Sequence, residues 1–264
     1  MQTSKLSTLG LTSLAALALT LSACAKDSET TATESGVKVI DEGVLTICTH
    51  LPYEPFEFTE GGEVVGFDID LLKLVAEAEG LTTKVVDTPW ETIVSGNALD
   101  GGDCDVATGA MTITPEREAV MDFSDPYFEA TQALLTKAGS GYASLDDLAG
   151  KRIAVQEGTT GETYVKENLP EGAKSVSYED SVLMMEAVNN GQADAGVNDN
   201  GLVNYYVAQN PAVEVTTEFT TGEEYGFSVK KDGNPELLEA INEAIADRDA
   251  YDEVYAKWFG AAAE

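Results

Sequence analysis

Positive charge is what this chain has least of: 15 Lys and Arg stand against 47 Asp and Glu, a formal net charge of −32. Nucleic-acid binding needs clustered basic side chains against phosphates, so no nucleic-acid partner is expected. The acidity suits solubility and a salty or cation-rich exterior. Histidine is nearly absent, with His50 alone, which leaves little room for a histidine-rich metal site or a serine triad. Cysteine is scarce as well: Cys24, Cys48 and Cys104 show no cysteine–histidine ligand spacing, and neither metal nor cofactor is expected. Past Leu21 no apolar run approaches the roughly 20 residues of a membrane-spanning helix.

The amino end carries an address. Lys5 precedes the apolar stretch from Leu9 to Leu21, too short for a mature membrane helix, and Leu21-Ser22-Ala23-Cys24 follows. This is a secretion signal, and Leu-Ser-Ala-Cys resembles the lipobox of bacterial lipoproteins. The resemblance implies a signal peptide over 1–23, cleavage before Cys24 and lipidation of that cysteine. Residues 24–37 then form a disordered tether, almost free of apolar side chains up to Gly36. The protein would sit at the extracytoplasmic face of the cell membrane, held by its lipid, with everything beyond the tether soluble.

The remaining chain is long enough for two compact lobes or one large domain, and 43% apolar content can furnish their cores. Periodicity predicts alternating elements: strand 44–49, helix 68–79 with Ile69, Leu72, Val75 and Ala76 on one face, strand 84–87, short helix 91–94 and strand 105–110. That is a βαβ pattern with parallel strands. A second run opens with a capped turn at 144–148 and continues with strand 151–156, which opens into the segment 157–161 and a helix to about Asn168, and then strand 175–178. A helix capped by Asp180 or Ser181 and strand 193–197 complete it. Strand 226–230 and two helices within 234–259 follow. The fold class is α/β. Cys48 and Cys104 fall on or beside different strands, and a disulfide or two separate buried thiols remain equally open.

Ligands of open parallel sheets bind at the carboxyl ends of the strands. The first run offers His50, Tyr53 and Phe56 there, then Trp90, then Gly109 to Thr112 leading to Arg117; the second offers Gly158-Thr159-Thr160 and Asn198-Asp199. Arg117 is one of three arginines. With Thr114 as N-cap and Pro115 at the first helical position, its guanidinium stands beside unpaired backbone N–H groups, a combination suited to a carboxylate. The plainer alternative is a surface ion pair with Glu116 or Glu118. Gly158-Thr159-Thr160 is either a small anion-binding turn or a simple helix cap.

Several motifs in order resemble the extracytoplasmic solute-binding proteins of polar amino acid ABC importers. They are Pro52-Tyr53-Glu54-Pro55-Phe56-Glu57-Phe58, Gly66-Phe67-Asp68-Ile69-Asp70-Leu71, the run from Asp105 to Arg117, Phe123 to Phe128, and Lys257-Trp258-Phe259-Gly260. The resemblance covers residues 43–260. It implies a type II, periplasmic-binding-protein-like fold of two lobes, 38–133 plus 222–264 and 134–221, joined by two hinge crossings around a ligand cleft. Matched by position, Arg117 would hold an amino acid carboxylate with Thr112 and Thr160. Asp199 would pair with the α-ammonium, helped by Ala110 and Thr112. Tyr53 and Trp90 would sandwich the side chain, and His50, Gly109, Glu157 and Thr159 complete the expected lining. Relatives that take basic amino acids often carry an acid where His50 stands, so this chain departs from their pattern; Glu54, Gln156 and Glu157 are nearby acceptors. The expected ligand is a polar or cationic L-amino acid, the expected partner an ABC permease, and the protein a monomer. Two alternatives differ in class. Some proteins of this fold are dehydratases of cyclic carboxylic acids, in which case Glu157 or Asp199 would serve as acid or base; others are sensors.

Overall fold

Val44–Thr49 and Arg152–Gln156, both dominated by β-branched and small buried residues, each organise a five-stranded sheet in a computed structural model that describes residues 31–260. The leader, Cys24 and the first part of the tether lie outside the described residues. In the first sheet the order is Thr82–Asp87, Val44–Thr49, Val106–Ala107, Ser228–Lys230, Met121–Phe123. The first three are parallel, as the βαβ pattern predicts, but Ser228–Lys230 runs antiparallel to both its neighbours. The second sheet repeats this plan with Lys174–Tyr178, Arg152–Gln156, Ala195–Asp199, Phe128–Lys137 and Val213–Tyr225. Again three strands are parallel and the fourth reverses. Both sheets are therefore mixed rather than purely parallel.

Phe128–Lys137 and Val213–Tyr225 are the two hinge crossings. They pair antiparallel from Val213 opposite Lys137 to Tyr225 opposite Phe128, with register shifts between Val215 and Thr217 and between Phe219 and Glu223. Periodicity alone did not reveal them. Their far ends join the first lobe, where the Ile113 N–H donates to the Glu224 carbonyl at 2.8 Å and the Tyr127 N–H to that of Tyr225 at 2.9 Å. An aromatic cluster fixes them there: the Phe128 ring lies 5.2 Å from Phe56 and 5.5 Å from Tyr225, and Phe67 lies 5.1 Å from Phe259. Each such pair contributes about 0.5–1.5 kcal/mol beyond its buried area.

The helix Phe67–Ala78 buries Phe67, Ile69, Leu72, Val75 and Ala76 against the first sheet, starting one residue before its predicted bound. Its entry depends on Gly66 at φ 143°, where a Cβ would stand 1.9 Å from the Phe56 carbonyl oxygen. The predicted strand 105–110 shortens to Val106–Ala107, because the chain turns out of the ladder at Gly109 (φ 148°) and Ala110 (φ 47°). Cys48 and Cys104 form a disulfide with Cα atoms 5.7 Å apart. The parallel pairing of Cys48 with Ala107 brings residue 104 alongside. The tether reading needs correction over residues 31–37. Thr31–Ala32 pairs with Lys38–Val39, Val37 and Val39 are buried, and Thr33 and Ser35 donate to the Glu79 carboxylate. Two apolar side chains and a carboxylate acceptor suffice to draw this segment onto the first lobe.

Candidate ligand-binding cleft

Arg117 is held where the sequence put it, and it is buried rather than paired with Glu116 or Glu118. Thr114 caps the short helix Pro115–Glu118, its hydroxyl accepting from the Arg117 N–H at 3.3 Å. From the first lobe the guanidinium reaches across the cleft: Nη1 donates to the Thr112 carbonyl at 2.8 Å and Nη2 to the Gly158 carbonyl of the second lobe at 3.2 Å. Its Cζ lies 5.3 Å from the Trp90 ring centroid, within cation–π range. Trp90 Nε1 also donates to Gly158, at 3.2 Å. Trp90 thus serves both as a wall of the cleft and as a member of the core cluster with Ile93, Leu99 and Met111. Gly109 is obligatory beneath it: a Cβ there would meet the ring at 2.7 Å. Burial pulls the Arg117 guanidinium below its usual pKa, while Asp199 and then Glu223 favour its charge.

Asp199 ends the strand Ala195–Asp199 on the opposite lobe and is 5% exposed. Tyr53 of the first lobe donates to its Oδ2 at 3.0 Å, Tyr225 of the hinge to the same oxygen at 2.5 Å, and Gln132 to Oδ1 at 2.6 Å. Burial first, and the Glu223 carboxylate second, push Asp199 up to about 6. Among the described residues no cation forms an ion pair with this carboxylate. An arginine and an aspartate therefore face one buried space from different lobes, and a zwitterion entering it would find both of its charges matched.

That space has about 340 Å³ of empty volume, including its mouth. His50, Tyr53, Trp90, Gly109, Ala110, Thr112, Arg117, Thr159, Thr160 and Asp199, all anticipated from sequence, line it. Glu157 does not; it is exposed, and its neighbour Gln156 lines the cleft instead, because alternation along the strand turns residue 156 inward. Gln156 Oε1 accepts from Asn198 at 3.2 Å. Thr159 caps the helix Thr160–Glu167 by accepting from the Glu162 N–H at 3.1 Å. His50 Nδ1 contacts the Thr88 carbonyl at 3.2 Å; a carbonyl only accepts, so Nδ1 carries a hydrogen, which in a neutral ring leaves the buried Nε2 as an acceptor, without a partner among the described residues. Glu54 lies elsewhere, in a groove with Ser181 and Tyr205.

Four residues of the site escaped the sequence reading. Gln132, Glu223 and Tyr225 lie on the unread hinge strands. Glu223 Oε2 accepts from Gln132 at 2.9 Å, Thr160 at 3.1 Å and Thr112 at 3.3 Å. Glu57 lines the cleft while fully buried. Burial, then the neighbouring Asp68 carboxylate, raises the Glu57 carboxyl well above its ordinary value. Asp68 in turn accepts from Thr108 at 2.5 Å and from the Ala110 N–H at 3.0 Å, which fixes the turn carrying Ala110.

The fold and this cleft define a two-lobed solute-binding protein. Residues 45–261 match the model of the bacterial extracellular solute-binding proteins, family 3, and the chain belongs to that family. Its relatives include a probable histidine-binding protein of Neisseria gonorrhoeae, 35% identical over 259 residues and covering 93% of each chain. The ABC transporter glutamine-binding protein of Bacillus subtilis (strain 168) is 32% identical over 233 residues, 86% of this chain and 84% of that one. Among solved structures, an ancestral arginine-binding protein bound to glutamine superposes with a TM-score of 0.76 at 40% identity, covering 83% of this chain and 99% of that one. An ancestral amino acid-binding protein described as a precursor of cyclohexadienyl dehydratase gives 0.73 at 39% identity, over 82% and 95%.

Proposed function

We propose that this protein is the receptor of an ABC importer, capturing a polar or cationic L-amino acid between its lobes and delivering it to the permease. The observation that carries the reading is the opposition of buried Arg117 and buried Asp199 across one cleft. Arg117, with the Thr112 and Thr160 hydroxyls, receives the carboxylate; Asp199, with Ala110 and Thr112, receives the ammonium. Tyr53 and Trp90 flank the side chain. The His50 Nε2 acceptor favours a side chain that donates hydrogen bonds. The two charges of the ligand are both matched only when both lobes contribute, so ligand binding favours closure.

The lobes divide at the hinge strands, near residues 133 and 222. Cys24 anchors the chain by lipid, and the protein acts as a monomer. Binding is favoured over catalysis because, of the two acid–base candidates, Asp199 is engaged by two tyrosines and a glutamine and Glu157 is exposed outside the cleft. A thermal-shift screen against the twenty amino acids and simple carboxylates tests the reading. A ligand at a thousand times its Kd adds about 4 kcal/mol, several degrees in melting temperature. Stabilisation by a cyclic acid alone, with its conversion to product, would instead favour an enzyme. For the anchor, Cys24→Ser should abolish palmitate labelling; undiminished labelling would contradict it.

A further inference from the structure

The two hydroxyls given to the ligand's carboxylate already have a carboxylate partner within the chain. Thr112 comes from the first lobe and Thr160 from the second, yet both donate to one atom, Glu223 Oε2, at 3.3 and 3.1 Å. Gln132, on the paired hinge strand, donates to the same oxygen at 2.9 Å. Glu223 owes its place to the irregular register: the pairing of the two hinge strands breaks between Phe219 and Glu223 and resumes at Glu223 opposite Ala130. The groups acting electrostatically alongside it are Arg117, which attracts it, and Asp199, which it repels. With Arg117 nearby and two hydroxyls on one oxygen, Glu223 reproduces from inside the protein the surroundings an amino acid carboxylate would require.

A hydroxyl has one hydrogen to donate. Thr112 and Thr160 cannot serve Glu223 and a ligand carboxylate together. We propose that Glu223 is an internal competitor, a carboxylate that bridges Thr112 and Thr160 across the lobes and must give them up when the ligand's carboxylate binds. The proposal rests on the reading that Arg117, Thr112 and Thr160 receive that carboxylate. It makes Glu223 a setter of affinity: it weakens capture and holds the two lobes together through the same contacts the ligand will use. A strut that merely oriented the two threonines would act with the opposite sign, because its loss would weaken binding.

The test compares the purified protein with Glu223→Ala, using L-arginine, L-histidine and L-glutamine as probes in calorimetry and small-angle scattering without ligand. Removing the competitor should tighten binding of whichever probe the parent takes by about tenfold or more. The ligand-free variant should also show a larger radius of gyration, returning to the parent's value when ligand is added. Equal or weaker binding in a variant with unchanged circular dichroism would overturn the competitor. If the parent binds none of these probes and none of the twenty amino acids in the thermal-shift screen, the receptor reading fails first, and scattering decides the bridge alone: a variant as compact as the parent removes it, an expanded one keeps it.

Discussion

Replacing Asp199 by asparagine should strengthen the ligand-free protein while depriving it of its ligand. Asp199 stands about two units above its ordinary value of 3.8, at about 6, chiefly because burial disfavours its charge. A carboxyl whose pKa is raised on folding contributes full stability below its unfolded value and loses it as pH rises through the folded value. Here the loss spans roughly pH 4 to 6. At pH 7 it amounts to about 3 kcal/mol at about 1.4 kcal/mol per unit, an upper bound given the hydrogen bonds Asp199 keeps. Asparagine is neutral and can still accept from Tyr53 and Tyr225, so the ligand-free melting temperature at pH 7 should rise, by at most roughly 6–12 °C. Binding should move the other way. An ammonium buried without its counter-charge costs about 2–5 kcal/mol, a loss of about thirtyfold to several thousandfold in affinity. The parent should show the same dependence by titration: between pH 7 and 5 protonation of Asp199 should weaken its affinity about tenfold, whereas the variant should be flat there. Differential scanning fluorimetry and calorimetry on both proteins measure all three quantities. A variant that is less stable without ligand, or that binds as tightly as the parent, would refute the role given to Asp199.

Arg117→Ala should lower amino acid affinity at least about a hundredfold while the protein stays folded by circular dichroism; normal binding would remove the carboxylate assignment. Gly109→Ala forces a methyl to within 2.7 Å of the Trp90 ring at a backbone angle L-residues rarely adopt. It should weaken binding and lower the melting temperature, and a neutral result in both assays would show that Trp90 can yield. Breaking the Cys48–Cys104 bond, by reductant or by a double serine variant, frees a loop of 56 residues. Chain entropy puts the cost at about 4 kcal/mol. Denaturant titration with and without reductant should register it, and coincident curves would mean that the bond constrains nothing.

Local signals carried most of what the sequence revealed. The Thr114 cap with Pro115, the cap at Asp180 or Ser181 and the capped turn at 144–148 are set by side chains within three residues of the backbone they bind; the structure keeps all three, choosing Asp180 and closing the turn with a Ser144–Asp147 capping box. The cleft residues read from strand ends follow from topology, because three parallel strands in each sheet deliver their carboxyl ends to one edge. The hinge strands were illegible for the opposite reason. Val213–Tyr225 mixes threonine and glutamate along a largely half-exposed ribbon and is specified by pairing with residues more than 75 positions away. Glu223, Gln132 and Tyr225 were lost with it. Glu57 stood inside a recognised motif, but nothing local signals that a glutamate flanked by phenylalanines is fully buried in the cleft wall. The cysteines were undecidable for want of the strand pairing that sets them 5.7 Å apart.

Both described ends of the chain rest on the same lobe. Lys38 exchanges backbone hydrogen bonds with the Asn234 side chain, and at the other end the ring of Phe259 packs against Phe67. The second lobe is thus an excursion entered and left through the hinge. A mechanical load applied between residues 31 and 260, whether from a surface attachment or a fused partner, would run through the first lobe and leave the hinge strands unstressed. Opening and closing would then answer to the ligand and not to tension, whichever end of the molecule is held.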